Sequence, residues 1–282
     1  MHSFQGGTYL KDMSNSDYFV SLHHKIKLDK NLPAIGYLDS ESKDLISGAK
    51  GVLMPKYFSP VRYKKVSSLA TAHFPNLRPR YHYRGKAEQI NLFKQYGFRH
   101  PETTIYDTPK SARKALNKNN ISFDQPFVLK GDKGGGGSQV FPIWTPRDFS
   151  CYLEHLHPEE PVLLQEWIQN DGMDLRIVII GDITRSYFRI GNDSFYNNIS
   201  KGAEISYHLY PEKQKQGIQL VKQLTDKEDI NLAAFDVIFD PSGDPLFLEI
   251  NFLFGTKGLG GSRQYEQLFR QAISNWMNKL RF

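Results

Sequence analysis

Hydrophobic positions fall into recurrent patterns mainly beyond residue 84. Ala87, Ile90, Phe93 and Tyr96 recur every third residue after Gly85, and Gly97 supplies a stop, which predicts an amphipathic helix. Residues 103–106 then read as a strand. Thr108-Pro109 and Thr145-Pro146 each place a capping hydroxyl before a proline, so helices are expected to start at both. Further strands are predicted at 126–130, 139–143, 162–168, 175–180, 184–190, 233–239 and 246–251, and helices at 212–224 and 262–280. Before residue 85 only short apolar pieces at 34–38 and 51–54 stand out, consistent with a small α/β lobe of buried strands.

Composition narrows the class. The chain has 282 residues, of which 39% are hydrophobic, so apolar material for a core is ample. A single Cys151 excludes a disulfide framework and a multi-cysteine zinc site. No apolar run approaches the roughly 20 residues that cross a bilayer, and the first ten residues lack a signal-peptide stretch, so a protein of the reducing cytoplasm is expected. The net charge of +6 is local: residues 45–87 hold nine Lys or Arg and no Asp or Glu, and the rest of the chain carries 27 basic and 30 acidic residues.

Three segments suggest chemistry. The run from Phe235 to Asn251 has turn formers (Asp240-Pro-Ser-Gly-Asp244) between two apolar stretches, which predicts a β-hairpin. If its loop is Pro241 to Asp244, Asp236 stands opposite Glu249, an arrangement that repulsion disfavours unless a cation lies between them. Asn251 shares the face, and the three oxygen donors suit Mg²⁺; the competing reading is a bulged hairpin with its acids facing solvent. The second segment, Lys130 followed by Gly131-Asp-Lys-Gly-Gly-Gly-Gly-Ser138, joins two strands and reads as a glycine-rich flap that can wrap phosphate oxygens beside a fixed cation. It lacks the order of a Walker A loop or a dinucleotide fingerprint, and without Lys130 it would read as a mobile loop. The third, Gln165-Glu-Trp-Ile168, is either an ordinary buried strand or a segment that presents backbone groups to an adenine edge.

Taken in order, these segments resemble the ATP-grasp superfamily, in particular the branch of the ribosomal-protein glutamate ligase and related amino-acid ligases. The resemblance runs from about Arg84 to Leu259. It rests on Gly85-Lys86 to Gly97 with Pro101-Glu-Thr103, Val128-Leu-Lys130 and its flap, Gln165 to Ile168, Asp174-Leu-Arg176, Arg189, Asn197-Asn198, and Asp236 with Glu249 and Asn251. It implies an α/β (α+β) ATP-grasp fold, a small N-terminal α/β lobe plus two lobes that clasp ATP between antiparallel sheets, divided at 1–84, 85–168 and 169–282. It further implies that Lys86 and Lys130 contact nucleotide phosphates under a flap that includes Gly135, Gly136 and Ser138. Gln165, Glu166, Trp167 and Ile168 would form the adenine hinge, with Asp174 near the ribose. Asp236, Glu249 and Asn251 would bind Mg²⁺, or Mn²⁺ in its place, and Arg176, Arg189 and Asn198 would line the phosphoryl-transfer site.

The activity so implied is ATP- and Mg²⁺-dependent ligation of a carboxylate to an amine through an acyl phosphate. The partners expected are small-molecule or peptide carboxylates and amines, with no membrane and no nucleic acid, and whether the chain forms a homo-oligomer is left open. Departures from the glutamate-ligase pattern, at Tyr196-Asn-Asn198, Lys201-Gly-Ala203 and Asn251-Phe-Leu-Phe-Gly255, remove charge and add apolar groups, which argues against glutamate as acceptor. Two other readings stand beside it. One is a kinase of the same fold acting on a polyanion, which the basic residues 56–84 would suit. The other is a non-catalytic nucleotide- or nucleic-acid-binding module, favoured by the tyrosines interleaved in the same window. His23-His24 and the pair His155 and His157 lack a third ligand at a recognisable spacing and read as surface residues.

Overall fold

Short apolar runs and alternating segments become three sheets in the computed structural model, which describes residues 17–33, 37–117, 124–170, 172–191 and 202–282. The chain divides into two compact units. One ends at Pro75 and takes in Trp276–Phe282, and the other is Asn76–Asn275. The expected boundary at 84/85 lies inside the second unit. Asn76 is tied there, its backbone N–H donating to Asn231 Oδ1 at 2.8 Å and its amide to Asp229 Oδ2 at 2.8 Å.

In the first unit β1 (Phe19–Ser21), β2 (Lys30–Asn31), β3 (Gly51–Leu53) and β4 (His73–Phe74) form a parallel sheet in the order β2-β1-β3-β4. β1 and β3 are buried at every position, so they show no alternation for a sequence reader to find. Helices α1 (Ser40–Ser47) and α2 (Pro60–Ser67) start at side-chain caps, Asp39 and Ser59. The apolar piece at 34–38 falls partly outside the described residues.

The second unit carries α3 (Arg78–His82), α4 (Lys86–Tyr96) and two antiparallel sheets. The four-stranded sheet orders β5 (Thr103–Tyr106), β8 (Val162–Glu166), β6 (Phe127–Gly131) and β7 (Val140–Ile143) as β5-β8-β6-β7. Helices α5 (Pro109–Asn117) and α6 (Pro146–Leu153) contribute to its apolar core, each beginning at the expected Thr-Pro step. The five-stranded sheet orders β11 (Glu204–Ser206), β10 (Ile183–Ile190), β9 (Met173–Ile180), β12 (Leu232–Phe239) and β13 (Pro245–Asn251) as β11-β10-β9-β12-β13. Helices α4 and α7 (Pro211–Glu228) close one face over Leu175, Ile177, Phe188, Phe235 and Phe247. Helix α8 (Ser262–Arg281) ends the chain.

The β12–β13 hairpin departs instructively from expectation. Phe239 pairs with Pro245 and Asp240 bonds to Asp244, so the loop is Pro241 to Gly243, one residue shorter than expected. That register would place Glu249 opposite Phe235, on the core side. A β-bulge between the Val237–Phe247 and Asp236–Glu249 pairs inserts Leu248 and restores Asp236 opposite Glu249. Both sides of the sheet are thereby served: Phe247 and Ile250 enter the core, and Glu249 and Asn251 face the other way.

Phe247 is the pin of this arrangement, fully buried and stacked on Phe93 at 4.8 Å between ring centres, with Phe98 at 5.5 Å. It fastens α4 to the bulged strand. Phe247→Ala is expected to destabilise the chain by about 3–5 kcal/mol in urea denaturation, and Phe247→Leu by clearly less. Equal, small losses in both variants would show that the stack does not anchor the strand.

Candidate active site

On the face of the five-stranded sheet opposite α4 and α7, strand alternation gathers charge. Arg189 of β10 pairs in the ladder with Asp174 of β9; Arg176 of β9 pairs with Asp236 of β12, which faces Glu249 of β13. Arg189 Nε and Nη2 donate to the two Asp174 oxygens at 2.6 and 2.7 Å, a two-point clamp. Arg176 Nη2 donates to Asp236 Oδ2 at 3.0 Å, and Arg189 Nη2 lies 3.1 Å from Asp236 Oδ1. The Asn251 amide also donates to Asp236 Oδ2, at 3.0 Å.

Burial raises each of these carboxyls, and the neighbours decide the outcome. Burial acts on Asp236 too, yet the Arg176 and Arg189 guanidiniums together hold it below the usual carboxylate range. Asp174, also buried, has one close guanidinium and the repulsion of Asp236, and is pushed up to about 6. Glu249 is raised by burial and by Asp236, against the pull of Lys86, whose Nζ is 4.0 Å from Glu249 Oε1.

The four-stranded sheet supplies the opposite wall of a cavity of about 520 Å³. Lys130 at the end of β6 is buried, and burial lowers its ammonium to about 8. Its Nζ donates to Gln165 Oε1 at 2.5 Å, Gln165 Nε2 donates to Thr103 Oγ1 at 2.9 Å, and that hydroxyl donates to the Pro101 carbonyl at 2.7 Å. A relay of three elements thus fixes where the ammonium points. Lys86, the first residue of α4, is placed by Asp132 at the base of the flap, whose carboxylate accepts from Ala87 N at 2.8 Å and whose carbonyl accepts from Lys86 N at 3.0 Å. A Cβ on Gly85 would lie 2.1 Å from Asp132 Oδ2, so glycine is required for that approach. Lys86 Nζ reaches across to the Gly134 carbonyl at 3.2 Å.

Of the residues singled out from sequence, Lys86, Lys130, Gly136, Ser138, Gln165, Glu166, Trp167, Ile168, Asp174, Arg176, Arg189, Asp236, Glu249 and Asn251 all line this one cavity. Gly135 does not, and Asn198 lies outside the described residues. Arg84, expected to run into the site, is exposed and takes no part in the lining, because the turn into α4 directs only Lys86 inward. Sequence reasoning missed Trp144, which lines the cavity with its ring 5.1 Å from that of Trp167, and the roles of Thr103 and the Gln165 side chain. The apolar run after Asn251 is largely spent inside the unit. Phe252 packs on the core and Phe254 lies 5.9 Å from Tyr265, so only Leu253 stays half exposed.

The residues present fit a divalent cation with oxygen ligands. Asp236 and Glu249 face each other across the ladder and Asn251 adds an amide oxygen; Asp236 Oδ1 is ion-paired with Arg176 Nε at 2.5 Å and Arg189 Nη2 at 3.1 Å, which leaves Glu249 as the carboxylate with most capacity for a cation. The charged lining residues are balanced, with Lys86, Lys130, Arg176 and Arg189 against Glu166, Asp174, Asp236 and Glu249. A polyanion therefore enters most favourably together with its own counter-cation.

A search of curated proteins found no match. Among solved structures, an N5-carboxyaminoimidazole ribonucleotide synthetase in complex with ADP superposes with a TM-score of 0.58 at 13% identity, covering 83% of this chain and 62% of that one. The chain thus spans less than two thirds of that enzyme. The VanG D-Ala:D-Ser ligase from Enterococcus faecalis gives 0.59 at 14% identity, covering 80% and 72%, and a RimK domain ATP-grasp protein from Sphaerobacter thermophilus gives 0.56 at 15%, covering 90% and 97%. At these identities the likeness is one of fold. A sequence profile of the RimK-like ATP-grasp domain matches residues 83–266, well over half the chain, and the protein belongs to that family.

Proposed function

We propose that this chain is an ATP-dependent carboxylate–amine ligase, with the second unit supplying both the phosphate-binding and the metal-binding walls. The observation that carries the reading is the convergence of Lys86, Lys130, Arg176 and Arg189 with Asp236, Glu249 and Asn251 in one cavity between two antiparallel sheets. Within the second unit we take residues 85–168 as the flap-bearing lobe and 169–275 as the metal-bearing lobe.

In this reading a substrate carboxylate oxygen bonds to the γ-phosphorus of ATP as the bond to the bridging oxygen breaks and ADP leaves, giving an acyl phosphate. An amine nitrogen then bonds to the acyl carbon, phosphate leaves, and the amine proton passes to solvent. Lys130, aimed by Gln165, and Arg189, aimed by Asp174, neutralise the transferring oxygens. Lys86 holds the flap carbonyl of Gly134 over the site. Asp236, Glu249 and Asn251 would hold Mg²⁺, which supplies further positive charge to the phosphate oxygens. Catalysis then rests on positioning and electrostatics rather than on a side-chain nucleophile. The synthetase and the D-Ala:D-Ser ligase are named for small-molecule substrates and the RimK domain protein's name gives none, so the carboxylate and amine we infer are small molecules or peptides.

The direct test is incubation with ATP, Mg²⁺, hydroxylamine and a panel of amino and carboxylic acids. ADP with a matching acyl hydroxamate is expected; ADP with a phosphorylated alcohol instead would replace the ligase by a kinase. Glu249→Gln is expected to lower ADP formation by about 100-fold or more with the circular dichroism spectrum unchanged, and Asp236→Ala to lower it at least as far with a loss of stability, since it leaves the Arg176 and Arg189 guanidiniums uncompensated. Undiminished turnover in both would remove these residues from the site. Lys130 sets a pH dependence. Its ammonium titrates near 8, so ADP affinity should be level below about pH 7 and fall as pH rises through 8, by up to about tenfold per unit, with proton uptake on binding. In Lys130→Met that fall should vanish; a wild-type affinity level from pH 7 to 9.5 would contradict the assignment.

A further inference from the structure

Consecutive residues of a strand point to opposite faces, and at one end of the five-stranded sheet this alternation builds two sites back to back. Asp174, Arg189 and Ile238 line the ion-paired cavity, while their neighbours Met173, Phe188 and Phe239 line a second cleft of about 320 Å³ on the other face. Its remaining walls come from Gln169, Asn170, the start of α7 at Tyr210 and Lys213, and the β12–β13 loop at Asp240 and Pro241. Asn170 borders both spaces.

The charge in this cleft is unusual. Lys213 Nζ lies 5.1 Å from the centre of the Tyr210 ring and 5.2 Å from that of Phe239, and Phe188 lies 5.9 and 6.2 Å from the same two rings. The ammonium rests on π-faces, and no carboxylate among the described residues pairs with it. The cleft's own acid, Asp240, is already engaged, by Arg99 Nη2 at 2.7 Å and by Asp244 N at 2.9 Å. Tyr210 adopts a left-handed backbone (φ 45°, ψ 66°), uncommon for a bulky residue, and from that position packs its ring edge-on against Phe188. The seat for a cation over the rings is thus filled by the protein itself, and the charge left in this largely polar cleft complements an anion, with Met173, Phe188 and Pro241 as the apolar side chains beside it. Its volume sits at the small end of ligand sites and suits one aromatic ring rather than a nucleotide.

We propose that this cleft binds a small aromatic carboxylate through Lys213 and that its occupancy is felt across the sheet by the Arg189–Asp174 clamp. The acid's carboxylate meets the ammonium, and its ring lies against Met173, Phe188 and Pro241. A shift of Met173 or Phe188 to admit the ring moves the strand positions that hold Asp174 and Arg189. Binding in this cleft does not depend on the nucleotide reading of the main cavity; only the coupling does.

The test uses the full chain without nucleotide and phenylacetate as probe, with phenylacetamide and acetate as controls, followed by ligand-detected NMR titration. Phenylacetate should bind at least tenfold more tightly than either control. Lys213→Met should weaken it at least tenfold, Lys213→Arg should keep it, and Glu249→Gln should leave it unchanged. Absence of phenylacetate binding, equal binding of the amide, or undiminished binding to a folded Lys213→Met variant would overturn the site. In a second arm, saturating phenylacetate should change the Kd of Mg-ADP by at least threefold in the wild type and not in Lys213→Met. An unchanged Kd in a wild type that binds phenylacetate overturns the coupling, and a change that persists in Lys213→Met places the probe in the main cavity and overturns the proposal.

Discussion

Two carboxylates facing each other across a β-ladder are the constraint around which the second unit is built. Asp236 and Glu249 are opposite one another only because the bulge at Leu248 shifts one strand by a residue. Without it the same loop would send Glu249 toward Phe235 and the apolar core, where an unpaired acid is costly. The bulge lets one strand give Phe247 and Ile250 to the core and Glu249 and Asn251 to the cavity.

The acids dictate what surrounds them. Asp236 keeps its charge because two guanidiniums flank it, and those guanidiniums hold their places because Asp174 clamps one of them. Removing one partner of such a buried network leaves a charge without compensation, so the set stands or falls together. Glu249 is the least satisfied member: among the described residues its one ion pair is with Lys86, at 4.0 Å, and Lys130 and Arg176 act on it from further away. In the proposed reading, this unevenness is where a metal cation would sit.

Much of this was legible in the sequence, for identifiable reasons. The Thr-Pro caps and the alternating strands from Met173 onward act locally, so residue order reveals them. The opposition of Asp236 and Glu249 was anticipated through a loop one residue too long, and the bulge cancelled the error. Other features depend on residues far apart in the chain. Gln165 aims Lys130 from 35 positions away, and Thr103 steadies Gln165 from 62, which no local pattern encodes. β2 and β4 have two residues each and β1 is buried throughout, so the first unit offered no period to follow. The basic window proved composite: Lys86 enters the cavity, Arg84 stays exposed, and Arg62, Lys64 and Lys65 belong to α2 of the first unit.

In the proposed reading, the bulge places Glu249 beside Asp236 so that a divalent cation is held together with a nucleotide. Electron paramagnetic resonance of Mn²⁺ titrated into the protein with ADP measures it directly. Tight Mn²⁺ binding that requires ADP, and that is lost in Glu249→Gln while the fold is retained, is the predicted result. Wild-type Mn²⁺ affinity in Glu249→Gln would contradict it.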